Sequence, residues 1–250
     1  MKKTLSPHRS ITPAHRHRSI LTSLLILALL SPFTSASTCY GTAAAGRLDG
    51  GVRLPANGDN FVPYTSLGIS LGRTYVHQHV HDVIVDAYSA VHQAMPDKRF
   101  MYGETGLASG GAFKPHRTHQ AGISVDFMVP VVDRDGKSVL LPSSALNKFG
   151  YGLEFDQHGV LDGLTIDFEA MAEHLYQLAQ ASKKHGITIQ RVIFDQPLMA
   201  ALLKTRRGGS LRSSVQFMKT KPWIRHDEHY HVDFSLPCRP LDDYGKRKAE

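Results

Sequence analysis

An aspartate stands in the middle of an apolar run. Residues 122–131 read GISVDFMVPV, with Val125 and Phe127 flanking Asp126, and a run this rich in β-branched and aromatic side chains predicts a buried strand. An ionised carboxylate in such a strand is costly unless a cation or a set of donors meets it. Any fold of this chain must therefore bring a partner to Asp126 or turn it to solvent. Three solutions are open from the sequence: an ion pair with Arg117 or Arg225, a bound cation, or an outward-facing position in an alternating strand.

The elements around this strand are mixed. Val80, Val83, Ile84, Ala87, Val91 and Met95 recur at helical spacing between Val76 and Met95, and Pro96 stops the pattern. Arg99 to Tyr102 predicts a short strand entering the glycine-rich turn Gly103 to Gly111, and Asp133 to Lys137 (DRDGK) predicts a hairpin turn. Asp167 is placed to cap a helix whose face is Phe168, Met171, Leu175, Leu178 and Ala179, and Gly186 is placed to end it. A strand over Ile187 to Phe194, a short helix from Pro197 to Leu203 and a last strand over Tyr230 to Leu236 follow. Residues 41–72, rich in Gly, Asn and Pro, predict a wrapped arm with few regular elements. Strands and helices alternate without a βαβ period, so the expected class is α+β: a small, largely antiparallel sheet with flanking helices. There are no repeats and no linker within the 250 residues, and one main domain is expected.

The first residues are different in kind. Five of the 29 Lys and Arg residues lie within residues 1–38, which carry no acid, so the rest holds 24 basic against 22 acidic side chains. That balance excludes the concentrated positive surface of a nucleic-acid binder. The basic stretch is followed by the apolar run Ile20 to Leu30, then Pro32 and the small residues Thr34-Ser35-Ala36. This reads as a signal peptide over residues 1–36 rather than a membrane span, which needs about 20 apolar residues. An uncleaved anchor is the alternative; lipidation at Cys39 is disfavoured by the bulk of Thr38. Export to an oxidising compartment permits a disulfide between Cys39 and Cys238, the two cysteines of the chain.

Chemistry-bearing residues gather in two segments: Pro115 to Asp126 (PHRTHQAGISVD) and His226 to His231 (HDEHYH). Imidazole and carboxylate are zinc ligands at about 2.0–2.2 Å, and a catalytic zinc has three protein ligands and one open position. His119, Asp126 and one of His229 and His231 would supply that set. A strand puts His229 and His231 on one face. Two histidines and a carboxylate also serve non-haem iron oxygenases, a reading that export and the neighbouring histidine pair set aside.

The pattern His-x6-Asp followed far downstream by His-x-His resembles the LAS metallopeptidases, the group of lysostaphin-type enzymes, D-Ala-D-Ala carboxypeptidases and sonic hedgehog. The penicillin-insensitive murein endopeptidases are the nearer likeness. It rests on Gly110-Gly111, His116, the run His119-Gln120-Ala121-Gly122, Asp126, Pro222-Trp223, His226, His229, His231 and Cys238. The resemblance extends from about Arg99 to Cys238 and implies a LAS/hedgehog-like core; the expected organisation is a zinc metallopeptidase domain over residues 39–240 with an N-terminal arm, and a polar tail over residues 241–250. It implies His119, Asp126 and His231 as Zn²⁺ ligands, His229 as general base or transition-state stabiliser, and His116 and His226 as cleft residues. Glu228 departs from the murein endopeptidase pattern: it stands three residues before His231, as in the Glu-x-x-His of the D-Ala-D-Ala carboxypeptidases. Strand alternation puts Glu228 on the face opposite His231 and favours His229 as base; a bulge or turn there would reverse this. His226 is the expected stabiliser of the oxyanion.

The expected activity is hydrolysis of D,D-amide bonds in peptidoglycan cross-links by a metal-activated water, in a periplasmic or secreted enzyme with no stable membrane span after cleavage. The alternatives are a D,D-carboxypeptidase releasing terminal D-Ala and a non-catalytic, zinc-holding wall-binding module; intact His229 and Glu228 argue against the last. Elsewhere, His77 and His81 read as a solvated helix face, Arg206, Arg207 and Arg212 as a solvated loop, and Trp223 as packing beside the site.

Overall fold

The computed structural model describes residues 36–247. All of the expected signal peptide but its last residue lies outside them, and no helix among the described residues is long and apolar enough to cross a membrane.

The fold is α+β. Seven strands are labelled here: β1 (Thr38–Gly41), β2 (Gly46–Asp49), β3 (Phe61–Pro63), β4 (Phe100–Tyr102), β5 (Ser124–Met128), β6 (Thr188–Ile193) and β7 (His229–Ser235). The main sheet has the order β6-β7-β5-β4-β3, antiparallel throughout except for the parallel pair β3–β4. A smaller four-stranded sheet is built from residues 131–132, 138–139, 160–161 and 164–166, and includes the expected hairpin after Asp133.

Two long helices, α1 (Gln78–Ala94) and α2 (Phe168–Lys184), pack together against one face of the main sheet. Both obey the sequence signals. Val80, Val83, Ile84, Ala87 and Val91 of α1 are buried, and Asp167 caps α2 by accepting from the Ala170 N–H at 3.0 Å. Gly186, at φ 70, follows the end of α2 in the left-handed conformation that glycine adopts most easily. The sheet's own period of two sorts its side chains. Phe127 and Tyr230 face the helices, where their rings stack with centroids 5.5 Å apart.

His174 of α2 lies in this apolar layer, stacked on Tyr88 with its Nδ1 2.6 Å from the Tyr230 hydroxyl. Burial lowers its pKa to about 3. The folded protein therefore keeps His174 neutral where the unfolded chain, titrating near 6.5, binds a proton. Its contribution is complete above pH 6.5 and is lost as pH falls toward 3. Between pH 7 and pH 4 this one residue should remove about 3 kcal/mol of stability. Urea unfolding of the wild type and of His174→Phe checks this: the variant should show a shallower loss, and equal slopes would refute it.

Three sequence expectations are corrected, and the expected polar tail contains a helix. The arm of residues 41–72 is more regular than its composition suggests, since β2, β3 and the helix Ser66–Ser70 lie within it and β3 extends the main sheet. His77 is not solvated: it is buried and caps α1, its side chain accepting from the His79 N–H, because a helix start leaves N–H groups that need an acceptor. Arg206 and Arg207 are not a free loop but the partners of the buried Glu173 carboxylate, at 3.1 and 2.7 Å. Residues 241–247 of the polar stretch form a helix, α3 (Leu241–Arg247), whose Tyr244 ring meets Tyr40 of β1 edge-on. The Cys39–Cys238 disulfide is formed, and beside it Arg239 N–H donates to the Cys39 carbonyl at 2.9 Å.

Candidate active site

Asp126 of β5 and His231 of β7 are directly opposed in the sheet register, and His229 is opposed to Met128. Alternation then places Asp126, His229, His231 and Asp233 on the face turned away from the helices. His119 joins them from the segment before β5. Its backbone sits at φ 67, a left-handed conformation that a histidine adopts at a cost of about 1–3 kcal/mol and that persists where surrounding structure enforces it. Here two carbonyls do so: His119 Nδ1 lies 3.2 Å from both Thr105 O and Ser124 O. Gly103 gives the close approach on the other side, because a Cβ there would stand 2.4 Å from the Tyr151 hydroxyl and 3.0 Å from the Asp126 Cβ.

These contacts fix protons. His119 Nδ1 faces carbonyls, so it carries the hydrogen and donates, which leaves Nε2 with a bare lone pair. That Nε2 is buried without a hydrogen-bond partner and lies 3.3 Å from Asp126 Oδ1. Burial also lowers the pKa of His119, keeping the ring neutral. Asp126 is the opposite case: burial works against its charge, but His119, His229 and His231 outweigh it and hold the carboxyl well below the usual range. The His119 lone pair and this ionised oxygen face each other with no hydrogen between them, an arrangement that a cation would satisfy. A tetrahedral ion with bonds of about 2.0–2.1 Å places its ligand atoms roughly 3.3 Å apart, the separation found here. The residues fit a metal ion, and the ligand atoms of His116, His119 and Asp126 all lie within 4.8 Å of one another.

The other expected residues surround this pair. His231 Nδ1 is 2.8 Å from Asp126 Oδ1, and its Nε2 is 2.8 Å from Asp233 Oδ1. Burial disfavours charge on His231, but Asp233 and Asp126 prevail and raise its pKa to about 10, so a metal ion held by this ring would have to displace its Nδ1 proton. His116 Nδ1 faces Asp126 Oδ2 at 3.8 Å, while its Nε2 meets Glu104 Oε2 at 2.5 Å. His229 Nδ1 is 2.8 Å from Glu228 Oε1, and its Nε2 is 4.0 Å from Asp126 Oδ1. Glu228 is not on the opposite face: it precedes the regular part of β7, is buried, and lines the same cleft as the histidines. The turn at the strand entrance decides this. His226 Nδ1 donates to the Ile224 carbonyl at 2.8 Å, and burial lowers the ring's pKa to about 4, so its Nε2 is an acceptor.

Neither arginine weighed as a partner for Asp126 takes that part. Arg225 pairs with Asp195 and Asp227 at 3.1 and 3.3 Å, and Arg117 is exposed on the cleft lining.

Several residues of the site escape sequence reasoning. The Tyr151 hydroxyl donates to Asp126 Oδ2 at 3.0 Å and accepts from the Glu104 N–H at 2.8 Å. Nothing in its surroundings in the sequence marks it. Glu104, hydrogen-bonded by His116 and Arg73 strongly enough to overcome its burial, is held at about 2. Asp233 accepts from Ser124 Oγ at 2.7 Å and pairs with Arg191. Its signal was present, since a residue two after His231 on one strand shares its face.

The family model for penicillin-insensitive murein endopeptidases matches residues 39–244. The chain belongs to that family. It is thus a peptidase directed at peptidoglycan, and the buried lone pair beside Asp126 gives the murein endopeptidase its potential metal site. Among curated proteins, none matches the chain. The cleft of this murein endopeptidase, about 580 Å³, is lined by His116, Asp126, Glu228, His229 and His231, with Trp223 forming a half-exposed wall beside His226. A wall-directed peptidase closed by a disulfide fits an exported protein.

Proposed function

We propose that the protein is an exported zinc D,D-endopeptidase that hydrolyses peptidoglycan cross-links, with His119, Asp126 and His231 holding the metal. The unpartnered His119 Nε2 beside the ionised Asp126, with His231 Nδ1 on the same oxygen, carries this reading. Asp233 on the far nitrogen of His231 completes a carboxylate–histidine pair of the kind that orients metal ligands. When bound, the zinc polarises the scissile carbonyl and lowers the pKa of water from about 15.7 to about 7.

The chain's residues do the rest. Glu228 holds His229 by its Nδ1–H, which presents Nε2 to the cleft as the base, so the two sequence candidates act as one unit. His229 takes a proton at Nε2 from the attacking water and delivers it to the leaving amine. Burial lowers the basicity of His229, but Glu228 and Asp126 outweigh it and raise its pKa. His226 offers a lone pair at Nε2, so we assign it to accepting a substrate N–H rather than to steadying an oxyanion, which needs a donor. His116 lines the cleft beside Asp126 Oδ2.

Mass spectrometry of purified muropeptides tests the reading. Cross-linked dimers should be converted to monomers, and a chelator should stop the conversion; dimers that persist with metal present would refute it. A second reading, D,D-carboxypeptidase activity, is favoured by the place of Glu228 in the cleft, and free D-Ala released without loss of dimers would select it. His229→Ala should retain the metal and lose about 10²–10⁴-fold in turnover. Full activity in that variant would move the base to Glu228.

A further inference from the structure

The cleft's carboxylates are all engaged. Glu104 faces Arg73 and His116, Glu228 faces His229, and Asp126 faces His119 and His231. Two cations on the lining have no acidic partner among the described residues: Arg117, whose guanidinium lies 6.0 Å from the Trp223 ring, and Lys148. Both side chains are exposed. Lys148 is held there against backbone preference. It and Phe149 are consecutive non-glycine residues in the left-handed region, at φ 52 and 58, a conformation that costs free energy and persists only where neighbours enforce it.

The neighbours are identifiable. Asn147 Oδ1 accepts from the N–H groups of Ser144 and Gly150 at 2.9 and 3.0 Å, and its Nδ2 donates to the Pro142 carbonyl at 3.0 Å. Phe149 meets the Tyr64 ring edge-on at 6.4 Å. One side chain thus ties the turn closed while the other anchors it to the core, and Lys148 is presented to the cleft between them.

The geometry points to Lys148, assisted by Arg117, as the element that recognises a free carboxylate of the stem peptide. This rests on the peptidoglycan reading of the site and names the feature of the substrate that is read. Stem peptides carry carboxyl groups that are either free or amidated; only the free form pairs with these cations. The preference is electrostatic and lies at a solvated rim, so it is modest and weakens with salt. A difference of about two- to fivefold in affinity is expected for each cation.

Calorimetric titration of the metal-loaded protein with an uncross-linked tetrapeptide stem, which has no D,D bond to cleave, tests this without turnover. The peptide is used as its free acid and as its amidated form. The wild type should bind the acid more tightly, Lys148→Gln and Arg117→Gln should each reduce that preference about two- to fivefold, and Lys148→Arg should keep it. Equal affinity for the two peptides in the wild type, or a preference unchanged in both glutamine variants, would overturn the inference. Dimer cleavage by the same preparations reports on the endopeptidase reading separately. Cleavage without a binding preference sinks the carboxylate assignment alone, and a binding preference without cleavage sinks the endopeptidase reading alone.

Discussion

Alanine in place of His119 or Asp126 should abolish both metal retention and turnover. His119 supplies a buried nitrogen whose lone pair faces the site without a hydrogen-bond partner, and Asp126 supplies the oxygen 3.3 Å from it that also faces His231. Removing either leaves too few ligands for a catalytic ion. Lewis-acid stabilisation lowers the barrier by several kcal/mol, so its loss should reduce activity by about 10³-fold or more. Elemental analysis of the purified variants, beside the wild type at one ion per chain, checks the metal. A variant that keeps a full complement of metal would show that the ligand set lies elsewhere, for instance with His116 in place of the lost group. Asp126→Ala is the more disruptive of the two for the site, because Tyr151, His116 and His231 all aim at that carboxylate.

Breaking the disulfide should cost the most stability. Cys39 and Cys238 are 199 residues apart, so the bridge closes almost the whole described chain. In the chain-entropy treatment a loop of that length constrains the unfolded state by about 5 kcal/mol. For a domain of this size that corresponds to a fall in Tm of roughly 10–20 °C. Cys39→Ser with Cys238→Ser, followed by thermal unfolding with and without reductant, measures it. The double variant should melt well below the oxidised wild type and be indifferent to reductant; a Tm within about 5 °C of the wild type would refute the estimate. The effect should reach the site, since Cys39 packs against Ala121 and Ile123, the residues between His119 and Asp126.

The legible parts of this protein were those governed by local rules. Helix α2 was marked at both ends, by Asp167 at its cap and Gly186 at its stop, and the buried faces of both long helices followed from spacing alone. The arm was misread for a reason of the same kind: β3 has three residues, too few to show a period, and it is a strand only because β4 lies beside it. His77 was misread because a histidine is an uncommon helix cap, and its burial depends on what packs over the start of α1.

The site divides along the same line. From the sequence, His119 and Asp126 stood out as metal-ligand candidates because a carboxylate in an apolar strand demands a partner, and His231 joined them through the family resemblance; the fold brings all three side chains to one cleft. The sequence also contained both candidates for the base, yet left them as rivals. Their relation is tertiary: Glu228 sits in a turn before the strand, so alternation does not apply to it, and its carboxylate reaches the imidazole of His229. Tyr151 and Glu104 belong to the site through contacts across 25 and 47 residues, which no local pattern encodes. Residue types and strand periodicity therefore determined which chemistry this protein carries. Only the folded chain decided which atoms bear the protons, because a hydrogen bond to one nitrogen of a ring sets what the other can do.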